Sequence, residues 1–104
     1  MGTPYQLVLQ FRRTVIDLET IVALEERLIE HLVGAAQVDG HDVGSDEANV
    51  FIITSDPIDT FNRLRPILDH TNLLTAATVA YRPINGHGYS ILWPAQSDEP
   101  FRVA

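Results

Sequence analysis

The chain has no cysteine, and this absence excludes several kinds of chemistry from a protein of 104 residues. Without thiols it can form no disulfide, bind no metal through thiolate and use no cysteine nucleophile. Long apolar runs are missing too, since none approaches the roughly 18–20 residues that span a bilayer. The N-terminal residues lack the basic and apolar segments of a signal peptide. We therefore expect a cytoplasmic protein without membrane contacts.

Basic residues are few: 7 arginines and lysines stand against 14 aspartates and glutamates, for a formal net charge of −7. Such a surface repels phosphate backbones, and the basic residues form no stripe, so we expect no nucleic-acid partner. The acidity would suit a basic protein partner, although in small proteins it more often serves solubility alone.

Two helices follow from the apolar periodicity. The first is predicted over 17–33, with Asp17 as its N-cap. Its apolar residues share one broad arc that we expect to face the core: Leu18, Ile21, Val22, Leu24, Leu28, Ile29 and Leu32. The second begins at Pro57 after the N-cap Asp56, and Pro66 within it predicts a kink or an interruption.

The element order predicts an α+β domain. Strands are expected at 5–12, 35–39, 49–54, 75–82 and 89–93. The order β-α-β-β-α-β, with a C-terminal hairpin strand added, resembles the ferredoxin-like split βαβ sandwich. Right-handed crossovers would place both helices on one face of an antiparallel sheet. Residues 1–94 are the predicted domain, and residues 95–104 are a tail or arm.

Three strands are apolar on both sides, which a sheet with one wet face would not be. The runs are Leu7-Val8-Leu9, Val50-Phe51-Ile52-Ile53 and Ile91-Leu92-Trp93. The face without helices would then expose a large apolar patch. We expect a homodimer packed through this face, as in dimeric α+β barrels; the alternative is that the tail covers it with Phe101.

Glu25 is the anomaly of the first helix because it lies inside the apolar arc. A carboxyl group that faces a core can serve as a general acid or base. Arg65 falls at the edge of the apolar stripe of the second helix. A structural salt bridge between Glu25 and Arg65, or a Glu25 side chain that reaches solvent, is the alternative reading.

The segment 38–49 combines two glycines, a histidine and several acidic residues. His41 is a candidate acid–base group, and Asp39, His41, Asp42 and His87 are candidate ligand-binding residues. Imidazole and carboxylates can hold zinc, iron or manganese. A calcium loop does not fit, since several of its ligand positions carry no side-chain oxygen, and Asp/Gly segments are also ordinary turns. We expect no metal and no cofactor.

Arg65 and Trp93 complete the candidate ligand-binding residues. Four aromatic side chains could line a pocket between the sheet and a partner, or belong to the core or an interface: Phe51, Tyr81, Tyr89 and Trp93.

No complete catalytic constellation is present, and the fold hosts enzymes, regulators and binding modules alike. The leading interpretation is a small cytoplasmic, non-catalytic binding or interaction protein that forms a homodimer and binds a small molecule or a protein. The first alternative is a small enzyme of dimeric α+β barrel type, with Glu25 or His41 as acid–base group. The second is an acidic protein that binds a basic partner, as immunity-type proteins do.

Overall fold

The computed structural model describes residues 4–94, together with Phe101 and Val103. The elements in chain order are β1 (Tyr5–Arg12), α1 (Leu18–His31), β2 (Gln37–Val43), β3 (Glu47–Thr54), α2 (Pro57–His70), a 3-10 turn (Leu74–Ala76), β4 (Ala77–Pro83) and β5 (Ser90–Trp93). Two helices pack on a five-stranded antiparallel sheet, so the predicted α+β class is confirmed. Most of the predicted tail lies outside the described residues.

The sheet has the order β2-β3-β1-β4-β5, and every neighbouring pair is antiparallel. Side chains alternate along β1, so Leu7, Leu9 and Phe11 enter the core beneath the helices. Gln6 and Val8 therefore point to the opposite side. We call that side of the sheet the second face.

All five strands contribute residues to the second face. By cross-strand register they are Gln37, Gly40 and Asp42 of β2, Glu47, Asn49, Phe51 and Ile53 of β3, Gln6, Val8, Gln10 and Arg12 of β1, Thr78, Ala80 and Arg82 of β4, and Ile91 of β5.

Both helices begin at the predicted caps. The Asp17 carboxylate accepts hydrogen bonds from the backbone N–H and the hydroxyl of Thr20, at 2.8 and 2.6 Å. These bonds to the charged form hold the pKa of Asp17 below its usual value. Asp56 accepts from the backbone N–H of Asp59 at 3.0 Å, and Pro57 occupies the first turn, where its missing N–H costs nothing.

Pro66 does not interrupt α2, which continues as one helix to His70. The prediction for the second strand, residues 35–39, is wrong: β2 runs over Gln37–Val43. β3 also starts earlier than expected, at Glu47. The turn between them is short because a bulge lets β2 continue through Gly40, whose φ of 124° suits glycine.

The core lies between the helices and the sheet. Its largest fully buried side chains come from β1, α1, β3, α2 and β4: Phe11, Leu7, Leu9, Ile21, Leu28, Leu32, Ile52, Leu64, Leu68, Val50 and Val79. None of the helices in the described residues is both long and apolar enough to span a membrane.

Candidate functional site

Glu25 and His41 meet at the junction of α1 and β2. The Nδ1–H of His41 donates to the Oε2 of Glu25, at 3.0 Å. The salt bridge between Glu25 and Arg65 is not formed. The structure thus brings together the two residues that the sequence singled out for acid–base chemistry.

The contact depends on the bulge in β2. Val38 pairs with Ile52, whereas after the register shift Gly40 pairs with Phe51 on the second face and His41 pairs with Val50 on the helix side. In a regular strand the alternation would send His41 to the second face instead. The bulge therefore decides which side of the sheet the imidazole occupies.

The pair is partly exposed, with 32% of the His41 side chain and 18% of the Glu25 side chain accessible. A carboxylate bonded to Nδ1 orients the imidazole and leaves Nε2 to accept a proton, as in the base of a catalytic triad. In the described part of the chain no nucleophilic side chain bonds to this ring. No group of three or more potential metal ligands occurs among the described residues.

The other candidate ligand-binding residues lie apart from each other. Asp39 sits at the bulge of β2, and Asp42 points to the second face. His87 is exposed in the turn between β4 and β5, at the opposite edge of the sheet. These three side chains do not form one site.

Arg65 and Trp93 do come together, at the edge of the sheet under α2. The Arg65 guanidinium lies 4.6 Å from the centre of the Trp93 ring and 5.9 Å from that of Phe61. The Trp93 indole N–H donates to the backbone carbonyl of Leu74 at 2.9 Å. The ring is therefore fixed, and Arg65 stacks over it as a cation–π contact.

A polar network borders the second face at one end. Arg82 Nε donates to the Gln6 side-chain oxygen at 3.1 Å and to the Tyr89 hydroxyl at 3.2 Å. Arg82 Nη1 also donates to two carbonyls of the β4–β5 turn, at Ile84 and Gly86. The Phe101 ring packs on Tyr89, with centroids 4.9 Å apart. One described residue of the tail thus touches the margin of this face.

The middle of the second face is apolar. Cross-strand register aligns Phe51, Val8, Ala80 and Ile91 in one row, with Ile53 beside it. Val8 and Ala80 are fully buried, whereas Phe51, Ile53 and Ile91 remain partly accessible. The four aromatic candidates do not lie on one side of the sheet, because Tyr81 and Trp93 pack against the core on the helix side.

A cavity of about 480 Å³ opens where the second face ends, beside the turn after β1. Its lining is mostly polar: Gln10, Phe11, Arg12, Thr14, Asp46, Glu47, Ala76 and Thr78. The Gln10 amide N–H donates to the Asn49 side-chain oxygen at 3.0 Å at its inner end. No local sequence pattern indicates this cavity, because its walls come from three separate segments.

The outer side of α1 departs from the predicted arc. Leu18, Val22 and Ile29 were expected to face the core, but they are 50%, 37% and 49% exposed. Val33, just beyond the helix, is 77% exposed. The arc was wider than the contact that a helix makes with a sheet, so only part of it could be buried.

Comparison with known proteins adds no assignment: no family model matches this chain, and neither a curated protein nor a solved structure matches it.

Proposed function

We propose that the protein is a non-catalytic binding protein of the cytoplasm that works as a homodimer, with the second face as its self-interface. The observation that carries this proposal is the apolar row across the second face, in which Phe51, Ile53 and Ile91 stay partly exposed in the single chain. Contiguous apolar surface of this kind marks interaction sites in proteins of this size.

The charges of the second face favour a second copy of the chain. Two arginines, Arg12 and Arg82, nearly balance the carboxylates of Asp42, Glu47 and Asp39, the last of which is exposed at the bulge of β2. The chain as a whole carries a net charge of −7. Two such faces can therefore meet without the repulsion that the rest of the surface would impose.

The size of the face approaches that of a stable interface. Four strands that cover roughly 23–27 Å each and the shorter β5, which covers about 13 Å, lie about 4.8 Å apart and give a projected area of about 500–600 Å². Stable interfaces bury about 800 Å² per partner, and side-chain relief adds to a projected area. The contact between the Phe101 and Tyr89 rings fits the alternative arrangement, in which the tail covers this face in a monomer.

The proposed topology is a ferredoxin-like split βαβ sandwich with β5 added at the β4 edge. What supports it is the position of β1 between β3 and β4, with α1 connecting β1 to β2 and α2 preceding β4. In such a sandwich both helices share one face, so the other is open to a second sheet.

The test is the mass in solution of three proteins: the wild type, Phe51→Asp and Ile58→Asp. Ile58 is 55% exposed on α2, so its substitution makes the same chemical change outside the second face. We expect dimers for the wild type and Ile58→Asp, and a monomer for Phe51→Asp at the same concentration. A wild-type monomer, or equal behaviour of the two variants, would contradict the proposal.

The second candidate function is acid–base catalysis by the Glu25–His41 pair, which its hydrogen bond favours. This alternative predicts that His41→Ala abolishes a measurable activity while the dimer persists. The homodimer proposal does not need the pair.

A further inference from the structure

The exposed apolar side chains of this protein are concentrated on one helix. Of the large apolar side chains that are exposed in the described residues, most belong to α1 or to the turns that flank it: Val15, Leu18, Val22, Ile29 and Val33. Leu18, Val22, Ile29 and Val33 recur at helical spacing, and we call these four residues the outer stripe.

The outer stripe faces away from the rest of the molecule. On one side of α1 the His31 Nε2–H donates to the Arg63 carbonyl of α2 at 2.8 Å. On another side Glu25 holds His41 of β2. The stripe lies beyond that contact, so neither α2 nor the sheet covers it.

An acidic ridge runs beside the outer stripe. Glu19, Glu26 and Glu30 are exposed and lie within about 40° of one another around the helix, next to the stripe. The apolar side chains thus have carboxylates along one side, and no ion pair joins those carboxylates to another described residue.

We propose that the outer stripe and the acidic ridge form a docking surface for a basic amphipathic segment of another protein. A partner helix with apolar residues every three to four positions would cover the stripe, and its lysines and arginines would meet the ridge. This inference goes beyond the homodimer and does not depend on it.

Charge argues against a second copy as the occupant. Two chains that met through α1 would bring both acidic ridges together, with three glutamates from each chain against one arginine of the helix, Arg27. The second face has less of this conflict because its two arginines nearly balance its carboxylates. The same carboxylates oppose docking on an anionic lipid surface.

The test uses two synthetic peptides and isotope-labelled full-length protein. The first peptide places leucine and lysine at helical spacing, and the second has glutamate in place of each lysine. We expect the lysine peptide to bind saturably, with amide shifts concentrated on α1, and the glutamate peptide to bind at least about tenfold more weakly. Equal binding of the two peptides, or shifts centred elsewhere, would overturn the proposal.

A pair of variants locates the surface. Ile29→Gln should weaken binding of the lysine peptide at least about fivefold, while Ile58→Gln on α2 should leave it within about twofold. Both residues are about equally exposed, so loss of folding does not explain a difference. Equal affinities would contradict the inference. If Ile29→Gln lowered the mass of the free protein in solution, the stripe would be an interface with a second copy. If the wild type bound phosphatidylcholine vesicles and Ile29→Gln did not, the stripe would be a membrane-binding surface. Either result would overturn the proposal.

Discussion

The second face and the outer side of α1 both present apolar side chains, but they differ in charge. On the second face, Phe51 and Ile53 lie among arginines as well as carboxylates. On α1, Val22 and Ile29 lie beside three glutamates, and Arg27 is the one arginine of the helix. Burial of apolar area would favour binding at both surfaces. The charges around each surface decide which kind of partner can bind there.

This comparison separates self-association from partner binding within one small chain. A neutral surface can pack against its own copy, whereas a strongly acidic surface cannot do so without like-charge repulsion. The net charge of −7 is therefore not spread evenly over the molecule. We expect the nearly neutral surface to form the proposed homodimer and the acidic surface to bind a basic partner.

The largest expected effect comes from making the second face acidic. Thr78 is half-buried on that face, whereas Thr75 is exposed in the turn before β4. Thr78→Glu should raise the dimer dissociation constant at least about 30-fold, because the added carboxylate would lose its hydration when the two faces meet. Thr75→Glu is the matched control and should leave the constant within about twofold. Sedimentation equilibrium measures both, and equal constants would remove the second face from the interface.

A smaller expected effect is a difference between the two surfaces in how strongly their binding affinity depends on salt concentration. Between about 0.05 and 0.5 M salt, binding of the lysine peptide to α1 should weaken about tenfold, because exposed charges are screened. The dimer constant should change by no more than about twofold, since apolar burial dominates there. Fluorescence anisotropy of a labelled peptide and sedimentation equilibrium give the two slopes. If both interactions had the same slope, charge would not be what separates the surfaces.

The smallest effect concerns the Glu25–His41 pair, which lies at the border of the outer stripe. His41→Ala should lower the free energy of unfolding by less than about 1 kcal/mol, as expected for a partly exposed pair. Dimer and peptide affinities should both stay within about twofold. Urea denaturation checks the stability. A loss above about 2 kcal/mol would show a structural role for the pair larger than its exposure allows.

Local sequence signals were sufficient for much of the fold. Asp17 and Asp56 begin the helices as predicted, because cap chemistry is decided within one turn of chain. The extent of β2 was not predictable in the same way. It depends on a bulge at Gly40, and an Asp-Gly pair is equally typical of a turn.

The sequence indicated the two residues of the candidate site but not the contact between them. Glu25 stood out from its apolar neighbours and His41 from its loop-like segment, but nothing local pairs them. Their contact requires the register shift in β2 and the packing of α1 on that strand. Similarly, the exposure of Ile29 depends on how much of α1 the sheet can cover, which periodicity does not give.

The most direct test of the account is the mass of the complex between the protein and the lysine peptide, measured by light scattering behind a sizing column over a dilution series. The account predicts a dimer near twice the 11.6 kDa chain mass without peptide. With saturating peptide it predicts two chains and two peptides, because the surfaces are separate. A peptide that splits the dimer into single chains, or a free protein that is monomeric at every concentration, would contradict it.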